Sequence, residues 1–330
     1  MKRYALPLIA VLMCACLTWA QSENGYGNRY GVRYLEAGQP AVVIHPTVEA
    51  AHQARLSGFA STGNNLFYHG GTSDGAAGTI GVETAPKVYL VLWGSQWTNN
   101  DPSGEASIVE TFLQGIGGSK WLNSVTQYCQ GVATGTVTCG SSGTHAGNQA
   151  GMFVNIWRDN ASAAPKHPTQ SQMAAEAVRA AAHFGNTTAQ SNKSVQYVLA
   201  TSHGNSSSGF GTQYCAFHSS TSSSAGRLAF TNLPYITDAG ASCGANFNNL
   251  GAKAGITIVE GHEFAETVTD QFPSSGWVDS SGAENGDKCA WIKTGTGASA
   301  KFTFSTGTFP VQSLWSNASN GGSGGCAISF

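Results

Sequence analysis

The stretch Lys87-Val88-Tyr89-Leu90-Val91-Leu92-Trp93 decides the fold. It is an almost uninterrupted apolar run with the length of a strand, which is typical of a strand buried on both faces. Met152 to Trp157 and Val195 to Ala200 have the same character, and each is rich in β-branched or aromatic residues. These three segments therefore predict the core strands of one sheet.

Helical patterns separate these strands and follow them. Glu105 to Gly115 has apolar residues at helical spacing, and Ser171 to Phe184 is rich in alanine, with Ser171 placed to cap the helix. A third helix is predicted over residues 256–269. Strands that alternate with helices predict an α/β fold, a three-layer arrangement with a mainly parallel central sheet. From Ser274 onward the sequence predicts loops and short strands, so the fold should be loop-rich.

The third predicted helix contains Gly261-His262-Glu263-Phe264-Ala265-Glu266. His262 and Glu266 are four residues apart, so on a helix they point from one face. The pattern resembles the zinc-binding motif H-E-x-x-H, with a glutamate in place of the second histidine. A carboxylate oxygen binds zinc at about the same distance as an imidazole nitrogen. The spacing therefore predicts His262 and Glu266 as metal ligands and Glu263 as the general base that takes a proton from water.

Acidic residues are concentrated around this motif, although only 10% of the chain is charged. Glu260, Glu263, Glu266 and Asp270 stand at helical spacing, where like charges repel unless a cation joins them. Over the eight residues from His262 to Asp270, the helix turns Asp270 away from the line of side chains that faces the metal. Asp270 is therefore predicted to accept a hydrogen bond that orients His262, and not to bind the metal itself. The alternative is a solvated acidic face on an amphipathic helix. The repulsion favours the metal site.

A catalytic zinc site needs a third protein ligand and keeps its remaining position for water. Residues 277–291 form a loop segment that is rich in acidic residues. Glu284 is the first choice for the third ligand, and Asp287 is the second. The alternative is that the carboxylates of this segment form turn hydrogen bonds or bind calcium.

Two histidines outside the helix are further candidates. His203 opens a Gly/Ser-rich loop directly after the predicted strand Val195 to Thr201, and α/β sheets place their sites at such strand ends. His218 stands close to Cys215. Either histidine could be the missing ligand, or it could stabilise the oxyanion that forms when water attacks a carbonyl group. A structural role is the alternative for both.

The N-terminus predicts export from the cell. Lys2 and Arg3 precede an apolar run, which ends in small residues at Ala20. Residues 1–20 are therefore predicted as a signal peptide, with lipid attachment near Cys16 as the alternative. Residues 21–60 are predicted as a leader or pro-segment.

Six cysteines follow the predicted signal peptide, and an even number in an exported chain predicts a disulfide framework. Sequential pairing is the simplest arrangement, because each bond then closes a short loop. The predicted pairs are Cys129 with Cys139, Cys215 with Cys243, and Cys289 with Cys326.

The composition limits the partners of the protein. A net charge of −2 gives no electrostatic reason to expect nucleic acid or an anionic membrane as a partner. No stretch beyond the signal approaches the roughly 20 apolar residues of a membrane span. The predicted location is outside the cytoplasmic membrane, either extracellular or periplasmic.

Six segments spread over the chain carry a family resemblance. They are Tyr68 to Gly71, Val88 to Trp97, Tyr197 to Ser202, Cys215 to His218, Thr267 to Asp270 and Glu284 to Cys289. These segments are similar to the EXORDIUM/phosphate-induced protein family of extracellular proteins. The plant members imply a cell-wall-associated protein, but they lack a His-Glu pair at the position of His262-Glu263. A microbial branch, more similar in Glu260 to Glu266 and in Glu284 to Cys289, implies a zinc peptidase.

The residues and the resemblance predict a secreted zinc-dependent hydrolase, specifically a peptidase that acts on protein or peptide substrates. Residues 61–330 would form a single α/β hydrolase-like metal-binding domain. The competing prediction is a non-catalytic extracellular protein that binds cell-wall polysaccharide. Its sugar platforms would be Trp93, Trp97, Trp277 and Trp291. Packing in the core is the other role open to these tryptophans.

Overall fold

The structure is a computed structural model that describes residues 31–56 and 65–330. The predicted signal peptide, residues 1–20, lies outside the described residues. The strands are β1 (Val32–Arg33), β2 (Val42–Pro46), β3 (Phe67–Tyr68), β4 (Thr72–Ser73), β5 (Thr79–Ile80), β6 (Lys87–Trp93), β7 (Cys129–Gln130), β8 (Thr144–His145), β9 (Phe153–Asp159), β10 (Val195–Thr201), β11 (Tyr214–Ser223), β12 (Gly226–Leu233), β13 (Trp277–Val278), β14 (Ala300–Phe304), β15 (Gly307–Val311), β16 (Leu314–Ser316) and β17 (Gly325–Ala327). The α-helices are α1 (Val48–Leu56), α2 (Glu105–Ile116), α3 (Gln170–His183), α4 (Ala189–Asn192), α5 (Ala254–Thr269) and α6 (Ser319–Gly322).

A seven-stranded sheet organises the fold, with the strand order β1-β2-β11-β12-β10-β6-β9. The strands β9, β6, β10 and β12 are parallel to one another. Parallel neighbours need a crossover connection, and α2 and α3 lie in the connections from β6 to β9 and from β9 to β10. The strands β11, β2 and β1 extend the sheet by antiparallel pairing. The prediction of an α/β fold with a mostly parallel sheet is therefore confirmed.

The central strand β6 is buried on both faces, as its apolar run predicts. Val88, Leu90 and Leu92 pack in one hydrophobic cluster together with residues of α2 and α5. Tyr89, Val91 and Trp93, which point to the other face of the sheet, pack in a second cluster with the alanines of α3. Helices therefore lie against both faces of the sheet, while the three-layer and loop-rich parts of the prediction stay predictions.

The start of α3 differs from the predicted cap. Thr169, and not Ser171, is the N-cap, because its side chain accepts a hydrogen bond from the backbone N–H of Gln172. The Gln172 side chain in turn accepts from the backbone N–H of Thr169, which completes a capping box.

The helix α5 is buried along its whole length. Every residue from Ala254 to Thr269 is classed as buried, including Glu260, Glu263 and Glu266. The helix packs against the sheet strands β2, β11 and β12 and against β15 and α2. The alternative of a solvated acidic face is therefore wrong, because this helix has no face toward solvent.

Part of the predicted leader, residues 21–60, belongs to this sheet. The strand β2 is fully buried and pairs with β11 on one side and β1 on the other. It is followed by α1, which ends at Leu56. The removal of this segment stays a prediction.

Three disulfides hold the loops of the described residues. They join Cys129 to Cys139, Cys215 to Cys243 and Cys289 to Cys326. The predicted sequential pairing is confirmed. Within residues 31–56 and 65–330, no helix has the length and apolar character that a membrane crossing would need.

Candidate metal centre

The helix α5 brings the two predicted ligands together. His262 Nε2 lies 3.1 Å from Glu266 Oε1, one helical turn away, and both side chains are 0% exposed. At this distance the two atoms could bind the same ion, because metal–ligand bonds of about 2 Å place neighbouring ligand atoms about 3 Å apart.

The loop after β13 supplies a third group. Asn285 docks this loop on α5, because its Nδ2 donates to Ala265 O at 3.0 Å and to Thr269 Oγ1 at 2.6 Å. Gly286 approaches so closely that a Cβ there would lie 2.6 Å from His262 Nδ1. The close approach of this loop explains why a glycine stands at this position.

Asp287, the second choice for the third ligand, joins His262 and Glu266. Its Oδ1 lies 3.8 Å from His262 Nε2, and its backbone N–H donates to Glu266 Oε1 at 2.8 Å. Glu284, the first choice, lies on the other side of Glu266, with Oε1 3.4 Å from His218 Nε2. The structure thus brings both loop carboxylates to the centre but beside different histidines.

Two histidines of the sheet face α5. His218 on β11 places Nε2 3.6 Å from Glu266 Oε2. His45 on β2 stacks on His262, with ring centroids 4.0 Å apart and an angle of 6° between the planes. Sequence reasoning missed His45, although a histidine inside the apolar run Val42-Val43-Ile44-His45 was the signal available.

The ligand atoms fall into three groups of three residues, within each of which they lie within 4.8 Å of one another. The groups are His262 with Glu266 and Asp287, His218 with Glu263 and Glu266, and His45 with His262 and Glu263. We refer to His45, His218, His262, Glu263, Glu266, Glu284 and Asp287 as the metal cluster.

Many atoms of the metal cluster have no hydrogen-bond partner although they are buried. They are both ring nitrogens of His45 and His218, Nε2 of His262, both carboxylate oxygens of Glu263 and Glu284, Oε2 of Glu266, and Oδ1 of Asp287. An unsatisfied buried polar group costs about 1–3 kcal/mol, so a protein rarely collects so many in one place. Ligation of a cation would satisfy these atoms, and the residues present therefore fit a metal ion.

Burial also sets the protonation of the cluster. It lowers the pKa of His218 to about 3 and that of His262 to about 4, so both rings are neutral at pH 7 and keep a lone pair for a metal. Burial raises the pKa of Glu263, Glu266 and Glu284 well above the usual range. Without a cation these carboxyl groups would hold protons, and a cation would release them.

Gln312 orients His262, which is the role that the sequence predicts for Asp270. Its Nε2 donates to Gly286 O at 2.8 Å, so its Oε1 faces His262 Nδ1 at 3.3 Å. The Nδ1 proton of His262 is thereby directed to Gln312, which leaves Nε2 as the free lone pair. Asp270 instead accepts hydrogen bonds from the backbone N–H groups of Ser274, Ser275 and Gly276.

His203 is not part of the metal cluster. Its side chain is 50% exposed, and Nδ1 lies 2.5 Å from Asp238 Oδ1. Its ring also contacts Tyr235, and its carbonyl oxygen accepts from Asn100. A catalytic role for His203 stays a prediction, and its position separates it from the buried groups.

The four tryptophans suggested as sugar platforms are buried. Trp93 and Trp97 are 5% and 7% exposed, and Trp277 and Trp291 are 0% and 1% exposed. The indole N–H groups of Trp97, Trp277 and Trp291 donate to backbone carbonyl groups. These side chains pack in the core and offer no face to a polysaccharide.

No family model, curated protein or solved structure matches this chain. The resemblance to the EXORDIUM/phosphate-induced protein family therefore stays a prediction.

Proposed function

We propose that this protein is a secreted metal-dependent hydrolase, that its metal is zinc, and that its substrates are proteins or peptides. The observation that carries the proposal is the set of unpartnered, fully buried nitrogen and oxygen atoms around Glu266. The three disulfides support an oxidising location outside the cytoplasm.

In this proposal His262, Glu266 and Asp287 hold the ion. A mixed set of nitrogen and oxygen ligands suits zinc, and a catalytic zinc takes three protein ligands. When bound, zinc would supply a Lewis acid and lower the pKa of a bound water to near 7. Gln312 keeps the ring of His262 in the tautomer that such binding needs.

Glu263 is proposed as the general base. Neither of its carboxylate oxygens has a hydrogen-bond partner, and it belongs to groups with both His262 and His218. The Oε atoms of Glu263 would accept the proton of the attacking water and return it to the leaving amine.

The proposal is tested by metal analysis and peptidase assay of the purified secreted protein. Glu263→Gln should keep its zinc and lose at least about 100-fold in turnover, because general-base catalysis contributes about that much or more. His262→Ala should lose both zinc and turnover. Glu83→Gln is the matched control, since Glu83 is also a fully buried glutamate but lies outside the metal cluster.

A second candidate function, a structural metal centre in a non-catalytic secreted protein, is favoured by one observation. Glu263 and all the proposed ligands are 0–1% exposed, so a substrate would reach them only if a covering segment moved. Zinc in the wild type without cleavage of unfolded protein substrates would favour this candidate. A protein that binds no zinc at all would contradict both candidates.

A further inference from the structure

We propose that the metal cluster holds two divalent cations, with Glu266 as the bridging ligand. His262 and Asp287 would hold the first ion, and His218 and Glu284 the second. This inference rests on the proposed function for the first ion and adds a second binding site that the motif alone does not contain.

The two carboxylate oxygens of Glu266 face different histidines. Oε1 lies 3.1 Å from His262 Nε2, and Oε2 lies 3.6 Å from His218 Nε2. A carboxylate whose two oxygens face different ligands can bridge two cations. The cations of two-metal hydrolytic sites are about 3.5–4 Å apart. A single ion on Oε1 would leave Oε2 buried and without a hydrogen-bond partner.

The second ion would take ligands on the His218 side of Glu266. The compact group there contains His218, Glu263 and Glu266, and Glu284 joins it through His218. His218 Nε2 lies 3.4 Å from Glu284 Oε1, and both side chains are 0% exposed. In the described residues, none of the three ligand groups contains both His218 and His262. Because a neutral imidazole nitrogen has a single lone pair, each histidine binds one ion, and the geometry assigns them to different ions.

Buried carboxylates are concentrated around both proposed sites. Glu263, Glu266, Glu284 and Asp287 belong to the metal cluster, and Glu260 and Asp270 are buried on α5 or at its end. In the described residues the ion pairs of Glu266, Glu284 and Asp287 are made with His218 or His262. Cations would join these carboxylates, which repel one another when they are ionised.

Glu263 keeps its proposed role under this inference. It belongs to one group with His262 and to another with His218, so it is within reach of both ions. Its carboxylate could therefore take a proton from a water held at either ion.

The test is the stoichiometry of zinc in the untagged secreted protein after chelator treatment, dialysis and titration with zinc sulfate. The wild type should bind two ions per chain. Glu284→Gln should bind one, because it loses a ligand of the second ion but leaves His262 and Asp287 intact. Glu83→Gln, a matched change at a buried glutamate outside the cluster, should still bind two.

The outcomes separate this inference from the proposed function. A wild type that binds one ion overturns the inference and leaves the proposed function standing. Two ions without peptidase activity support the inference and overturn the proposed function. If Glu284→Gln does not fold, His218→Gln is used in its place and should also bind one ion. If neither variant folds, the number of ions that the wild type binds decides between one site and two.

Discussion

His262 has its two ring nitrogens engaged in different directions. Nδ1 faces Gln312, while Nε2 faces Glu266 and Asp287. The ring of His45 stacks on the ring of His262, and it also stacks on Trp291 with centroids 4.8 Å apart. Packing and one amide therefore fix the orientation of this proposed ligand during folding, before any ion binds.

Gln312→Leu should weaken zinc binding by about 10- to 100-fold, the usual effect of removing a group that orients a metal-bound histidine. The variant loses the acceptor for Nδ1 and also leaves Gly286 O without its donor. Zinc affinity can be measured by competition with a fluorescent chelator. Gln149→Leu is the control, since Gln149 Nε2 makes a similar bond to Pro86 O at 2.8 Å. Equal affinities for the two variants would contradict the role of Gln312.

Among the site residues, the sequence predicts those that depend on local spacing. His262 and Glu266 are related by one helical turn, and this spacing is independent of the rest of the fold. His45 and Gln312 reach the cluster only through tertiary packing, so a single sequence holds no pattern that links them to α5. The choice between Glu284 and Asp287 likewise depends on how their loop docks through Asn285.

At the scale of elements, the predicted strands β6 and β10 agree closely with the structure, whereas β9 is an edge strand with mostly exposed or half-buried residues and not the core strand that its apolar run predicts. The strand β6 has the predicted bounds, and β10 spans Val195–Thr201, which includes the whole predicted apolar run Val195 to Ala200. The hairpin of β11 and β12 was missed because Tyr214 to Ser223 is rich in serine and threonine. The first seven residues of β11 are nevertheless buried, and the His218 side chain faces Glu266 on α5.

The loop of residues 279–289, which follows β13 and carries Glu284 and Asp287, is here called the ligand loop. The disulfide between Cys289 and Cys326 holds it at its C-terminal end. Replacing both cysteines by serine should lower zinc affinity by about tenfold, because each loop residue that must be ordered on binding costs about 1–2 kcal/mol. The double variant of Cys129 and Cys139 is the control, since this bond lies outside the ligand loop. Isothermal titration with zinc measures both, and an equal loss in the two double variants would argue against a specific effect on the loop.

At the scale of the whole molecule, the metal cluster lies between the sheet and the C-terminal segments. The helix α5 contacts β2 and β11 on one side and β15 on another. The buried carboxyl groups of this region replace what would otherwise be apolar core. Their burial without a cation is unfavourable, so we expect the stability of the fold to depend on metal binding.

Removal of metal should therefore lower the melting temperature of the wild type. A ligand at 1,000 times its Kd adds about 4 kcal/mol, which corresponds to roughly 10 °C in a domain of this size class. Differential scanning calorimetry with and without a chelator measures the shift. His262→Ala should show little response to the chelator, and an unchanged wild-type melting temperature would contradict the coupling.

The residues of the cluster come from both ends of the described chain, with His45 on the second strand and Asp287 after the last long helix. A chain emerging N-terminus first through a secretion channel would present His45 long before the proposed ligands, the last of which is Asp287. The cation could therefore be captured only after almost the entire polypeptide had emerged. For an exported protein, the metal supply of the outer compartment, and not that of the cytoplasm, would decide which element is acquired.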